Sequence, residues 1–334
     1  TLVATMNKHQ RIQAAVRGEA VDRVPIAIWR HWPIVDQTAE GLAQAVLEFQ
    51  RRFDFDLVKV TPENTFPVTD WGVASEYRGN DQGTREVLSR PIKDHHDWLH
   101  IRPLDVTKGV LGREVDCIRL VKAQLGGQAP ILQTVFAPMT VAAKLTDQRF
   151  VYDVRERRWE LRQALGPITQ TVSDFVQACL EAGADGIFYA TQSATTATFT
   201  EDEFREFGME NDLRVLESIK GKAKLVLLHI HGMDVMFDLL AGYPVDVINW
   251  HDRRTPPGLR EALTRCTRGL AGGLNEKDTL PKATAERVDA EVADAIAQTS
   301  GRRLIVAPGC VMPVTTPEEN ITAARCAVEK EGPK

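Results

Sequence analysis

Long apolar runs are missing from this sequence. Its 334 residues contain no uninterrupted apolar stretch of about 18 residues, the length that a membrane-spanning helix needs. The opening residues T-L-V-A-T-M-N-K-H-Q also lack the apolar segment of a secretory signal peptide. Both absences argue against a membrane protein, and we expect the protein to be cytoplasmic.

A surplus of basic residues is also missing. The chain has 41 lysines and arginines against 46 aspartates and glutamates, which gives a formal net charge of -5. Nucleic-acid binding needs cationic side chains to neutralise phosphates, so this balance argues against a general nucleic-acid binder. The expected ligand is instead a small-molecule substrate.

Cysteine is scarce and irregularly spaced. The chain has five cysteines, and an odd number leaves at least one thiol unpaired. A chain of this size without framework spacing is typical of a reducing compartment, where thiols are buried or act as ligands. Cys310 is the ligand candidate, because it follows the apolar run L-I-V-A-P-G directly.

The remaining composition, 43% hydrophobic and 26% charged, is typical of a globular protein. Eight strand-like segments alternate with helix-like segments along the whole chain. Strand–helix alternation indicates a parallel sheet, and eight units favour an α/β fold with one (β/α)8 TIM barrel over residues 1–334. A doubly wound open sheet is the alternative, weakened by the absence of G-x-G-x-x-G after an early strand.

Two segments are predicted to lie outside the barrel repeat. Residues 7–18 have helical periodicity and end in glycine, which predicts a helix before the first strand. Residues 71–127 are polar and irregular, which predicts an insertion after the second strand, with a hairpin turning at residues 80–83.

The stretch L-V-L-L-H-I-H-G, residues 225–232, is predicted to be a buried strand that ends in two metal-ligand residues. Side chains alternate faces along a strand, so His229 and His231 point the same way. In a TIM barrel the active site lies at the carboxyl ends of the strands, where Cys310 also arrives. Three such groups can hold zinc with one position open, as catalytic zinc sites do. A hydrogen-bonded histidine pair and a buried thiol without metal remain the alternative.

Four segments carry a resemblance to a known superfamily. They are R-I-Q-A-A-V-R-G-E-A-V-D-R-V-P, F-A-P-M-T, T-E-D-E-F-R-E-F and A-P-G-C-V-M-P-V-T-T-P-E-E-N-I. In this order they resemble the superfamily of uroporphyrinogen decarboxylase and the methylcobalamin:coenzyme M methyltransferases. The resemblance spans nearly the whole chain and implies a (β/α)8 barrel.

The methyltransferase branch fits the residues better than the decarboxylase branch. The decarboxylase pattern has a second arginine where Ile34 stands, an aspartate at Glu63, a tyrosine near Lys144 and a histidine at Gly309. The methyltransferase pattern has H-x-C after one strand and G-C after the last, which together hold zinc. Here the H-I-H segment puts His229 at that histidine but His231 at the first cysteine, and P-G-C supplies Cys310.

The resemblance therefore implies a zinc-dependent methyltransferase that activates a thiol or similar nucleophile to accept a methyl group. Zn²⁺ is the expected cofactor, and the methyl donor is either a corrinoid such as cobalamin, free or carried by a separate corrinoid protein, or another methyl donor. A metal-free decarboxylase or other lyase is the alternative, and a non-catalytic tetrapyrrole binder is a third. The sequence leaves open whether the protein is a monomer or a homodimer.

Roles for the remaining residues at the strand ends follow from their chemistry. We expect Glu63 or Asp252 to complete the coordination or to orient a ligating imidazole. Arg30 is expected to meet an anionic group of the substrate. The other expected substrate contacts are Trp29, Asn64, Phe136, Gln192 and Trp250.

Overall fold

A computed structural model describes residues 4–331 of the protein. It contains a curled parallel sheet of seven strands in the order β1-β4-β5-β6-β7-β8-β9. A separate antiparallel hairpin pairs β2 with β3. The strands are β1 Val58–Val60, β2 Ala74–Tyr77, β3 Arg85–Ser89, β4 Ile131–Phe136, β5 Gly186–Thr191, β6 Leu225–Ile230, β7 Val247–Trp250, β8 Gly269–Leu274 and β9 Leu304–Pro308.

Helices separate the sheet strands and cover the outside of the sheet. They are α1 Lys8–Arg17, α2 Ala39–Phe53, α3 Phe66–Thr69, α4 Gly109–Leu125, α5 Pro138–Leu145, α6 Phe150–Glu156, α7 Arg158–Glu181, α8 Glu201–Phe204, α9 Glu210–Ser218, α10 Phe237–Leu240, α11 Leu259–Arg265, α12 Thr279–Lys282, α13 Ala285–Thr299 and α14 Glu318–Lys330. Helix α1 confirms the predicted N-terminal helix, and Gly18 ends it in the left-handed conformation. No helix within residues 4–331 is long and apolar enough to cross a membrane.

The predicted first strand is an extended segment beside β9 rather than a named strand. Isolated parallel bridges join Ile26 to Val306 and Arg30 to Met312. On its other side, Ile26 O accepts a hydrogen bond of 2.9 Å from the N–H of Asp56, just before β1. The segment thus lies between the two ends of the seven-stranded sheet.

The insertion predicted over residues 71–127 contains the hairpin at the expected place. The N–H of Gly83 donates to Asn80 O at 3.1 Å within its turn. The segment is not irregular throughout, however, because α4 is a regular helix that the sequence analysis did not predict. The hairpin tip contacts the loop after β9, where the N–H of Val314 donates to Asp81 O at 2.7 Å.

Alternation along the strands separates two apolar layers and determines which side chains reach the site. Leu225 and Leu227 of β6 belong to the cluster inside the curled sheet, whereas Leu228 and Ile230 pack against the helices. Every second residue of β6 faces the inside of the curled sheet, so His229 follows Leu225 and Leu227 into the interior at the carboxyl end of the strand.

Candidate metal centre

Four potential metal ligands meet at the carboxyl ends of β6, β7 and β9. One ligand atom from each of these side chains lies within 4.8 Å of the others, and we call the group the ligand cluster: His229, His231, His251 and Cys310. His231 Nδ1 is 3.3 Å from His251 Nε2 and 3.6 Å from Cys310 Sγ. The cluster joins the three predicted ligands and adds His251.

His229 is held by a buried amide. Its Nδ1 is 2.6 Å from Asn249 Oδ1. The Asn249 amide donates from Nδ2 to Ala271 O at 2.9 Å and to Pro308 O at 3.0 Å, so its oxygen must be the atom that faces the imidazole. Nδ1 of His229 therefore carries the proton, which leaves Nε2 with a free lone pair.

His251 is held by a buried carboxylate. Its Nδ1 lies 2.8 Å from Glu276 Oε1, and both side chains are almost completely buried. Nδ1–H donates to Glu276, so Nε2 faces His231 as a lone pair. Histidine ligands of metals commonly have such a carboxylate partner.

Gly309 makes room for this pair. A Cβ at position 309 would lie 2.8 Å from His251 Cα and 2.9 Å from Glu276 Oε2. Any side chain at position 309 would therefore displace the histidine or its carboxylate. The glycine that departs from the decarboxylase pattern is required by the packing of His251 and Glu276.

The protonation states suit a cation. Burial lowers the pKa of His231 to about 4 and lowers the pKa of His229 well below its usual value. Burial also raises the pKa of Cys310 to about 11, with the charge of Glu276 adding to the shift. The imidazoles of His229 and His231 are thus neutral at neutral pH. Neutral imidazoles and a thiol that a cation would deprotonate are the donors that zinc prefers, so these residues fit the metal.

A cavity of about 480 Å³ opens beside the ligand cluster. This volume is in the range of sites for small molecules. The charged residues on its wall are all basic: Lys59, Lys144, Arg254 and Lys277. No aspartate or glutamate within residues 4–331 lines this cavity.

Two of these lysines, Lys59 and Lys144, lie against aromatic rings. Lys59 Nζ is 2.8 Å from Thr61 Oγ1 and 4.4 Å from the centre of the Phe188 ring. Burial lowers the pKa of Lys59 to about 7, and burial lowers the pKa of Lys144 to about 8. The cavity therefore presents two basic groups whose charged forms burial disfavours and that have no carboxylate partner on its wall.

The structure brings seven of the predicted site residues to the cavity. Asn64 is fixed by the N–H of Arg85, which donates to its Oδ1 at 2.6 Å, and the N–H of Gln192 donates to Thr140 Oγ1 at 2.8 Å. The seven are Trp29, Asn64, Phe136, Gln192, His229, His231 and Cys310.

Two predicted catalytic carboxylates lie away from the cavity wall. Glu63 Oε2 accepts two hydrogen bonds from Thr65. The donor atoms are the backbone N of Thr65, at 2.9 Å, and its hydroxyl oxygen, at 2.5 Å. Asp252 accepts the N–H of Gly273 at 3.1 Å, and burial raises the pKa of Asp252 to about 7. Glu276, which the sequence analysis did not single out, contacts the His251 imidazole instead.

Two predicted substrate contacts also lie outside the cavity. The Arg30 guanidinium stacks over the Trp32 ring at 4.8 Å, and its Nε donates to His31 O at 3.2 Å. The Trp250 ring is fully buried 4.7 Å from the centre of the Phe237 ring, and its Nε1 donates to Pro257 O at 2.9 Å. Lys59 and Lys144, rather than Arg30, line the cavity.

The alternation of side chains along the strands could have predicted His251 and Lys59, which the sequence analysis did not assign to the site. Val247 and Asn249 of β7 point inward, so His251 continues the inner series as His229 continues that of β6. Lys59 similarly follows the inward-facing Leu57. The sequence analysis did not extend the alternation of this strand to His251.

Comparison with known proteins identifies the family. The family model for uroporphyrinogen decarboxylase (URO-D) matches residues 7–331. The chain belongs to the uroporphyrinogen decarboxylase family. Within this family its curated relatives include both methyltransferases and decarboxylases, so membership alone leaves the reaction open.

Two relatives and one solved structure show the range of the family. A methylcobamide:CoM methyltransferase, MtaA of Methanosarcina barkeri, is 22% identical over 94% of this chain and 95% of its own length. A uroporphyrinogen decarboxylase of Roseiflexus is 26% identical over 54% of this chain and 57% of its own. A methyltransferase structure from Methanosarcina mazei has a TM-score of 0.85 at 22% identity and covers 98% of this chain and 99% of that one. The fold therefore resembles that of this methyltransferase structure over 98% of the chain.

Proposed function

We propose that this chain is a zinc-dependent methyltransferase that activates a thiol to accept a methyl group from a corrinoid. The observation that carries the proposal is the ligand cluster, with its four donor atoms within 4.8 Å at the inner end of a cavity. The relatives that cover nearly the whole chain act on methylcobamide and CoM, which supports this branch of the family.

The ligand cluster would hold the metal, and a bound zinc ion lowers the pKa of a coordinated thiol so that it reacts as a thiolate. Asn249 and Glu276 fix the tautomers of the imidazoles that they contact, so that a nitrogen lone pair of each faces the metal position. The buried walls limit the water that can reach the thiol.

The basic residues that line the cavity, which we call the basic wall, would select the thiol that accepts the methyl group: Lys59, Lys144, Arg254 and Lys277. No carboxylate lies on the cavity wall beside Lys59 and Lys144, so a ligand with an anionic group would supply the negative charge that stabilises their protonated forms. Lys59 and Cys310 line the same cavity, so Lys59 would hold the anionic end of a short thiol whose sulfur is at the ligand cluster.

We also infer that the extended segment around Ile26 closes the sheet as the eighth member of a (β/α)8 barrel, and that residues 1–334 form one domain. Support comes from its bridge to β9 on one side and its hydrogen bond from Asp56 on the other. The barrel mouth then contains the whole site, as in other enzymes of this architecture.

Methyl transfer can be tested with methylcobalamin as donor and two thiols of equal length, one ending in a sulfonate and one in a hydroxyl. We expect turnover with the sulfonate thiol, seen as loss of the methylcobalamin absorbance, together with at least about tenfold weaker use of the neutral thiol. A chelator should abolish turnover, and zinc should restore it.

Replacing Lys59 by Met should remove most of the preference for the sulfonate thiol while the protein keeps its metal.

The alternative function is that of a metal-free lyase that uses the same basic wall to bind a carboxylate substrate. Decarboxylation that continues in chelator, with no methyl transfer to either thiol, would contradict the proposal and favour the lyase.

A further inference from the structure

The three imidazoles of the ligand cluster differ in how they are held. Asn249 holds His229 at 2.6 Å, and Glu276 holds His251 at 2.8 Å. Within residues 4–331, the His231 side chain has hydrogen-bond partners only inside the ligand cluster, at His251 and Cys310. His231 is therefore the one histidine ligand without an outer partner.

Position in the chain adds to this difference. His229 lies within β6, while His231 is the first residue after the strand and is followed by Gly232 at φ 109°. Only its backbone is fixed, by the N–H that donates to Thr191 O at 2.9 Å. His231 also lines the cavity and is partly exposed, so its ring lies where a ligand enters.

These features predict unequal binding to a metal. An outer hydrogen bond fixes the tautomer of a ligating imidazole and raises its basicity, and removing such a partner typically weakens metal binding by about 10- to 100-fold. An imidazole without that partner also loses rotamer freedom when it ligates, which the held rings have already lost. His231 is thus the weakest of the four ligands.

We propose that His229, His251 and Cys310 hold the metal permanently, while His231 is an exchangeable ligand that gives its position to the incoming thiol. The proposal rests on the proposed function and goes beyond the three ligands predicted from sequence. It reverses the role expected for His231 and makes His251 indispensable. The thiol would bind as a thiolate and release its proton to solvent, as the nitrogen of His231 leaves.

Cobalt(II) can replace zinc as a spectroscopic probe of this site. We expect the wild-type protein and the His231→Ala variant each to bind one cobalt per chain, with affinities within about tenfold of each other. The His251→Ala variant should lose at least about 100-fold in cobalt affinity, and Glu276→Gln should lose about 10-fold. Equal losses in His231→Ala and His251→Ala would overturn the proposal.

Adding 2-mercaptoethanol to the cobalt protein tests the exchange itself. In the wild type a second thiolate should join Cys310, which raises the sulfur-to-cobalt charge-transfer absorption while the visible bands keep the intensity of four-coordinate cobalt. The His231→Ala variant should bind the thiol several-fold more tightly, because no imidazole must leave. Thiol affinity unchanged by His231→Ala would contradict the proposal even if methyl transfer is confirmed, whereas absence of cobalt from every protein would contradict the proposed function as well.

Discussion

Individual residues of the site are shaped by burial more than by neighbouring charges. Lys59 lies inside the curled sheet with a hydroxyl and two aromatic rings around its ammonium group. Its burial destabilises the charged form, which is why the pKa of Lys59 falls to about 7. Because burying its charged form lowers the stability of the ligand-free protein, we expect Lys59 to bind a ligand.

Replacing Lys59 by Met should stabilise the metal-free protein. The folded-state pKa of about 7 is below the unfolded value of about 10.5, so the unfolded chain binds more protons between these values and wild-type stability rises with pH there. The advantage of Lys59→Met is therefore largest below pH about 7 and disappears toward pH about 10.5. Urea denaturation at several pH values measures it.

The matched control is Lys220→Met, because Lys220 is exposed and forms its ion pair with the nearby Glu217 on the surface. It should change stability little at any pH in this range. A Lys59→Met advantage that does not decrease as the pH rises would show that lost charge burial is not the cause.

At the scale of elements, the loops after β7, β8 and β9 build the site together. Gly309, after β9, approaches the backbone of β7 so closely that a Cβ would lie 3.1 Å from Trp250 O. We expect Gly309→Ala to displace His251 from Glu276 and to weaken zinc binding at least about tenfold. Competition with a chromophoric chelator measures this affinity.

Gly258→Ala is the control for this substitution, because a Cβ at position 258 meets nothing within 4 Å. It should leave zinc affinity unchanged. Equal zinc affinity in Gly309→Ala and wild type would contradict the assignment of His251 as a ligand supported by Glu276.

Most elements could be predicted from local patterns, and α4 shows why one could not. Its first turn contains Gly109 and Gly112, which favour helix poorly. Its N-terminal N–H groups are satisfied from far along the chain, where the Asp70 carboxylate accepts from Val110 at 2.9 Å and from Leu111 at 3.1 Å. A cap 40 residues away leaves no local signal, so tertiary contacts decide this helix.

For the site, too, local sequence patterns predicted some features and contacts between distant segments decided the others. Alternation within one strand predicted that His229 and His231 face the same side, and the strand ends brought Cys310 to them. Asp252 and Glu63 are also at strand ends, but their carboxylates turn to backbone N–H groups nearby. Which polar residue enters the cavity depends on such competing partners, which the sequence alone does not specify.

The whole molecule combines a family fold with a ligand set of its own. The family model matches residues 7–331, and the fold resembles a Methanosarcina methyltransferase over 98% of this chain. The chain differs from the zinc methyltransferase pattern by placing His231 at a cysteine position, and the structure places His251 beside it. A site with three imidazoles and one thiol is more positive than one with two thiols, which favours an anionic acceptor as the basic wall does.

The central claim, that the ligand cluster binds a catalytic metal, is tested most directly by elemental analysis of untagged protein. The account predicts about one zinc per chain in the wild type and in the Cys326→Ala control, whose cysteine is exposed and lies outside the cluster. It predicts loss of zinc in Cys310→Ala and His251→Ala. Protein that contains no zinc and takes up none when zinc is added, or that keeps it in both cluster variants, would contradict the account.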